Sequence, residues 1–398
     1  MQIRRLLSAL LLVSFLITQP LLAADPQQTY ADGIQQLYSL DFAAAEASFR
    51  TLTRDFADNP DYWNALASSY WLKTLYDQQK LNLESFSGKD RFGTMDSKDT
   101  VSEAEEKQLR DTIDKALATA EAMLKKDPKN TRALYAKGAS YATLASFEAT
   151  IRRSWLSAAR KAKTARNLHK EVLKLDPNFH DARTSVGIYN YAVGSLSWGA
   201  RFLVGVVGLG GDGKEEGIRD LETAAVKGNR AAIDAKMLLV VVYGREQQFE
   251  KAVKLLDELH AKYPRNFMLE MSKASVYTKM KRWDAAARTY RQITEKIAAR
   301  RDGYERMRIE KVYYELANSE FQAQRYEDAT RTFGLVTTGV TATASEKANA
   351  HLWMGRMSDS RNDRPAALRH YNAVLALEVD ADTKSDAQRL IRKPFGRP

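Results

Sequence analysis

The apolar positions of this chain recur with helical spacing, and in one stretch the whole pattern repeats after 34 residues. The segment that begins at Tyr243 aligns without a gap with the segment that begins at Tyr277. Nine positions after each tyrosine stands a small residue, Ala252 in the first segment and Ala286 in the second. Apolar residues at intervals of three and four predict amphipathic helices, and a fixed period of this length predicts a stacked repeat. The pattern therefore predicts a series of helix pairs.

Small side chains mark two positions of this repeat along most of the chain. Two helices come closest where side chains are small, so we expect both positions to lie where paired helices cross. One pair alone leaves an apolar face uncovered, and several pairs must stack to bury it. The first position holds Gly33, Gly138, Gly187, Ala317 and Gly355, and the second holds Ala45, Ala116, Ala165, Gly217, Ala329 and Ala367.

One first helix carries the series Trp63-x-x-Leu66-Ala67-x-x-Tyr70. In phase with the small residues, this series resembles the tetratricopeptide-repeat (TPR) family, and the resemblance covers nearly the whole chain after residue 24. It implies an all-α fold, a TPR-type α-solenoid of about eight helical hairpins with insertions. We expect the array to span 25–381, with units near 26–59, 60–130, 131–179, 180–232, 233–266, 267–300, 310–343 and 348–381.

Three stretches depart from the period. Inserts are expected near 73–110, as a polar loop, and near 194–211, while the surplus near 146–160 is expected to lengthen two helices. The second insert is rich in glycine and nearly uncharged, although loops are normally polar because they run over the surface. It is expected to fill the inside of the curved array, to meet a membrane or to meet a partner. A capping helix opening with Thr383-x-x-Asp386, followed by a basic tail, is expected over 382–398.

The first 24 residues have the pattern of a signal peptide. Arg4 and Arg5 precede an uncharged apolar run, and small residues then stand before Asp25. We therefore expect an exported bacterial protein of the periplasm, soluble or peripherally attached to the membrane. The chain has no cysteine, so its stability must come from packing. A formal charge of +11, or about +9 without the two arginines, makes an anionic membrane surface a candidate partner, and the compartment argues against nucleic acid.

No catalytic, cofactor or metal site is predicted. Gly208-x-Gly210-x-x-Gly213 matches a dinucleotide fingerprint, but that fingerprint needs a strand before it. Lys214 and Glu215 follow where a phosphate loop would carry lysine and a hydroxyl residue, so the ligand for magnesium is missing. The five histidines form no pair with the sequence spacing of a metal site. His169, at the aromatic position of a second helix, is expected to pack in the core.

What the family resemblance implies is a concave groove lined by the first helix of each unit. Lys311 and Asn318 supply only half of a carboxylate clamp, because the preceding unit offers methionines there. An apolar groove suits a peptide with hydrophobic anchors. We therefore expect a non-enzymatic scaffold for a protein or peptide partner; the alternatives are a membrane-associated structural protein and a transporter-linked ligand-binding subunit. The expected groove residues are Tyr135, Ile188, Tyr191, Met237, Val241, Met268, Met271, Tyr314, Asn318 and Phe321.

Overall fold

The computed structural model describes residues 25–78, 101–197, 200, 205 and 208–396. Within these ranges every regular element is helical, which confirms the all-α prediction. The expected signal peptide, residues 1–24, lies outside the described residues. The helices are α1 (Pro26–Tyr38), α2 (Phe42–Asp55), α3 (Pro60–Asp77), α4 (Glu103–Lys126), α5 (Thr131–Phe147), α6 (Trp155–Leu175), α7 (Arg183–Gly194), α8 (Lys214–Lys227), α9 (Ala232–Arg245), α10 (Phe249–Lys262), α11 (Phe267–Lys279), α12 (Trp283–Ala298), α13 (Ile309–Gln322), α14 (Tyr326–Thr338), α15 (Ala344–Ser360), α16 (Arg364–Leu375) and α17 (Ala381–Arg392).

Consecutive helices pack as eight hairpins, from α1 with α2 to α15 with α16, and α17 packs on the last of them. We number the hairpins 1 to 8 and call the helices of each its first and second helix. N-cap side chains determine where several helices begin. Asn59, for example, precedes α3, and its side chain accepts a hydrogen bond from the backbone nitrogen of Asp61. The expected cap of the last helix was wrong. Asp380, not Thr383, is its N-cap, because the Asp380 carboxylate accepts from the backbone of Thr383.

The small residues lie where paired helices touch, as predicted. Ala45 and Ala252 are fully buried, and a side chain added at Gly138 would lie 2.3 Å from the ring of His169. His169 itself is 2% exposed, which confirms its expected place in the core. At Gly217 the neighbour is backbone: an added Cβ would lie 2.4 Å from the nitrogen of Tyr191. The hairpins are thus held by direct helix-to-helix contact at these positions.

The departures from the period take different forms. Residues 73–77 end α3 and residues 103–110 begin α4, and most of the expected polar loop between them lies outside the described residues. Near 146–160 the expected lengthening holds for α6, which has 21 residues. Between α5 and α6, however, stand a π-helical turn and Arg153 in the left-handed region, with φ 54°. None of the described helices combines the length and apolarity needed to cross a membrane.

Candidate functional site

The ten expected groove residues all lie on the first helices of hairpins 3 to 7, the helices that are expected to form the inner face. Seven of the ten belong to the apolar clusters of the core or pack at their edges, so much of the expected lining also holds the array together. Tyr191 does not offer a surface. It is 2% exposed, packs in the core and donates a hydrogen bond of 3.0 Å to Glu246. Tyr135 is partly buried and stacks on the His169 ring, with centroids 4.8 Å apart.

Hairpin 1 contacts hairpins 5 and 6 across the inner face. The Tyr38 hydroxyl at the end of α1 donates to the carboxylate of Asp234 at the start of α9. The Tyr38 carbonyl accepts a 2.8 Å hydrogen bond from Asn266, and its ring lies 5.3 Å from that of Tyr263. Gln35 donates to the carbonyl of Lys262 at 3.3 Å. The array therefore closes on itself, and we call this set of contacts the closure.

The surrounding protein raises the pKa of Asp234. Its carboxylate still contacts solvent, but it has lost part of its hydration, and this loss disfavours the charged form. The hydrogen bond from Tyr38 acts in the opposite direction, because it favours the charged form. Asp234 and Tyr38 are therefore coupled at the point where hairpin 1 meets hairpin 5.

A charged network extends the closure to hairpins 2, 3 and 4. Asp61, whose side chain is 5% exposed, accepts from Arg230 and, at 3.0 Å, from Arg132. The loop that carries Arg230 is fixed by Asp181, whose carboxylate accepts from three successive backbone nitrogens, 229 to 231. The Arg230 guanidinium also lies 5.0 Å from the ring of Tyr30 in α1. One buried carboxylate thus joins residues far apart in the sequence.

A cavity of about 330 Å³ lies beside this network. Asp61, Arg132 and Arg230 border it on one side, and Tyr135 and Phe179 form an aromatic wall. Its three carboxylates already accept hydrogen bonds from the protein: Asp61 and Asp181 as described above, and Asp176 from the backbone of Asn178. The arrangement holds the charged groups of Asp61, Arg132 and Arg230 in fixed positions beside the cavity.

A third contact involves hairpin 2. Arg306, in the loop before α13, forms a 2.8 Å ion pair with Asp77 at the end of α3. The same guanidinium lies 5.5 Å from the ring of Tyr76, and that ring lies 6.3 Å from Phe267 at the start of α11. The closure therefore runs from hairpin 5 to the loop between hairpins 6 and 7.

Ile188, Met237 and Val241 are partly accessible on the first helices of hairpins 4 and 5. The other five expected groove residues lie on the first helices of hairpins 6 and 7, and we call the face formed by the first helices of hairpins 6 to 8 the open inner face. Met268, Met271 and Asn318 are partly accessible there. Phe321 lies 4.8 Å from the ring of Trp353 in α15, and Tyr314 packs edge-on against a buried phenylalanine of α14. Apart from the amide of Asn318, these side chains form an apolar and aromatic strip on α11, α13 and α15.

The polar residues of the closure were missed by the sequence analysis, although a signal for them exists. Asp61, Arg132, Asp181 and Asp234 each occupy the second position of their unit, in four consecutive units. Charged side chains at one equivalent position of successive repeats predict a network of ion pairs and hydrogen bonds between the hairpins. The expected groove contained only apolar, aromatic and amide residues.

The described end of the glycine-rich insert lies beside α6 and α7. The Leu209 carbonyl accepts from the Tyr189 hydroxyl at 2.9 Å, and Asp212 forms ion pairs with Arg166 and Lys170. Gly213 is the N-cap of α8, and two glutamates follow in its first turn. Carboxylates at that place disfavour phosphate. Residues 198, 199, 201–204, 206 and 207 of the insert lie outside the described residues.

Two histidines that are distant in sequence come together in hairpin 8. The Nδ1 atoms of His351 and His370 are 3.2 Å apart. Burial lowers the pKa of His351 to about 4 and also lowers that of His370, so that both rings are neutral near pH 7. Among the described residues, no group of three or more potential ligands is placed to hold a metal ion.

The comparisons with known proteins agree with this architecture. Residues 30–78, which include α2 and α3, match the family model for the tetratricopeptide repeat. The chain contains tetratricopeptide repeats. The same small positions recur in most of the eight hairpins, which together form a TPR-like helical solenoid. No curated protein matches the sequence.

Solved structures of TPR proteins resemble the chain at low identity. Yeast Tom70 is 14% identical, with 93% of this chain and 89% of Tom70 covered and a TM-score of 0.33. PilF of Pseudomonas aeruginosa is 14% identical over 63% of this chain and 96% of its own, with a TM-score of 0.36. The human IFIT1 dimer with PPP-AAAA is 14% identical over 92% and 84%, with a TM-score of 0.36. At these TM-scores no partner is carried over to this chain.

Proposed function

We propose that this chain is an exported periplasmic scaffold that binds a segment of a partner protein along the open inner face. The TPR array supports a role in protein–protein interaction. The N-terminal segment and the absence of cysteine support export to the periplasm. The proposed activity is binding, because the polar residues brought together at the closure lack the arrangement of a catalytic site.

The observation that carries the proposal is the lining of the first helices in hairpins 6 and 7. Met268, Met271 and Asn318 remain partly accessible there, beside the contacts that join hairpin 1 to hairpins 5 and 6. Methionine adapts its shape to different partners, and an aromatic strip offers flat anchoring surfaces. A peptide with apolar side chains at regular intervals matches this lining.

The test is capture of partners from an envelope extract of the source cell. We expect the immobilised chain to enrich a defined set of proteins, and the variant Met268→Glu/Asn318→Glu to lose at least about tenfold of that enrichment, because charge is placed in an apolar contact. Val226→Glu is the matched control, since Val226 is 81% exposed on α8. Equal enrichment by both variants would contradict the proposed site.

A further inference from the structure

A second surface, separate from the inner face, lies at the start of α6. Trp155 is 47% exposed and Leu156 is 51% exposed, although large apolar side chains are usually covered. They follow directly after the π-helical turn and the left-handed residue Arg153, which set the direction in which α6 begins. Two adjacent large apolar side chains therefore stand at an exposed helix end.

The same face of α6 is basic. Leu156, Arg160, Lys163, Lys170 and Lys174 are separated by three, four or seven residues, so they share one face of the helix. The opposite face, with Ala165 among other residues, is buried against the array. Only one acidic residue, Glu171, occurs in the 21 residues of α6.

Part of this charge is unpaired. Within the ranges that the structure describes, the side chains of Arg153, Arg160 and Lys163 make no hydrogen bond or ion pair. Lys170 and Lys174, by contrast, pair with Asp212 and Glu171 at 2.9 and 3.0 Å. The unpaired cations lie on the half of the helix that also carries the exposed apolar residues. A partner would therefore meet positive charge and apolar side chains together.

We propose that this face, Trp155 and Leu156 with Arg153, Arg160 and Lys163, docks on the surface of an anionic lipid bilayer. Tryptophan is the side chain that favours the boundary between water and hydrocarbon, and basic residues beside it are attracted to anionic headgroups. Two apolar side chains are too few for the apolar core of a stable protein interface, but they suffice for shallow insertion supported by charge. This surface belongs to the second helix of hairpin 3, whereas the open inner face belongs to the first helices of hairpins 6 to 8, so the scaffold would bind its partner beside the membrane.

The test is co-flotation with vesicles. Both the full chain and the chain from Asp25, which contains every described helix, are used, because the apolar segment before Asp25 could itself bind lipid. We expect binding to equimolar phosphatidylglycerol and phosphatidylcholine, weaker binding at high salt, and little binding to phosphatidylcholine alone. Trp155→Ser/Leu156→Ser lowers the partition coefficient of both chains about tenfold, and Arg160→Gln/Lys163→Gln lowers it about fivefold for each charge removed.

Val226→Ser and Val340→Ser are matched controls, since these residues are 81% and 96% exposed on other parts of the chain. Melting temperatures are compared for all variants. If Trp155→Ser/Leu156→Ser alters folding, the variant Arg160→Gln/Lys163→Gln still tests the proposal. The proposal is overturned if the chain from Asp25 stays unbound at low salt, or if it binds both vesicle types equally. It is also overturned if the α6 variants bind as the controls do, or if Trp155 and Leu156 instead mediate self-association measured by sedimentation.

Discussion

Gly217→Ala is expected to destabilise the protein by about 3 kcal/mol, although alanine is the better helix former. Gly217 lies where α8 crosses α7, and its added Cβ would lie 2.4 Å from the backbone nitrogen of Tyr191 and 2.6 Å from the carbonyl of Gly187. A backbone atom cannot rotate away as a side chain can. The two helices would have to separate along their length, and packing around Leu221 would be lost.

Gly334→Ala is the control, since it makes the same chemical change in the middle of α14. Nothing lies within 4 Å of a Cβ at Gly334, so the change is expected to stabilise by about 0.5–1 kcal/mol through helix propensity alone. Urea unfolding followed by circular dichroism measures both variants. If Gly217→Ala is as stable as Gly334→Ala, the close crossing of α7 and α8 is wrong.

Glu270→Ala is expected to cost about 3–5 kcal/mol, because it removes one partner of a buried charged network. Glu270 is 7% exposed on α11 and accepts hydrogen bonds from Lys296 at 2.6 Å and from the hydroxyl of Tyr304. Tyr304 is itself 2% exposed, so its hydroxyl would be left without this partner. Glu250→Ala is the control, with a side chain 66% exposed and an expected cost below about 1 kcal/mol.

The same residue gives a pH dependence with a defined sign. Burial alone would raise the pKa of Glu270, but hydrogen bonds from His260, Lys296 and Tyr304 outweigh it and lower the pKa to about 2. Because the folded pKa lies below the unfolded one, the contribution is complete above about pH 4.5 and is lost as the pH falls towards 2. The difference between the folded and the unfolded pKa corresponds to about 3 kcal/mol in the free energy of unfolding.

Glu270→Gln removes the titrating group and keeps the shape. Between pH 5 and pH 2, the free energy of unfolding of this variant is expected to fall by about 3 kcal/mol less than that of the parent chain. Urea titrations at a series of pH values give both curves. Parallel curves would show that Glu270 is not held in its charged form by this network.

The local part of the fold could be predicted from the sequence because it depends on neighbours. Gly138 and His169 belong to one hairpin, and their contact follows from a small and an aromatic position at fixed places in the repeat. Helix ends at the repeat boundaries follow from the fixed φ and missing N–H of proline, as at Pro128 and Pro264. The contact and the helix ends are both determined by residues within one repeat, so the sequence pattern of that repeat predicts them.

The closure could not be predicted in the same way. Gln35 and Lys262 are 227 residues apart, and Asp61 and Arg230 are 169 apart. Whether such residues meet depends on small rotations summed over several hairpins and on the inserts that interrupt the period. The groove was therefore expected over hairpins 3 to 7 as one surface, without the contacts that hairpins 5 and 6 make to hairpin 1.

The most direct test of the closure measures whether hairpin 1 lies against the loop between hairpins 5 and 6. The chain has no cysteine, so a pair can be introduced at Asp41 and Arg265, whose side chains form an ion pair at 3.6 Å. A short bismaleimide is expected to join Asp41→Cys/Arg265→Cys within the monomer and to leave Asp41→Cys/Arg361→Cys unjoined, because Arg361 lies in hairpin 8. Equal joining of both pairs, or of neither, would contradict the closure and with it the restriction of partner binding to the open inner face.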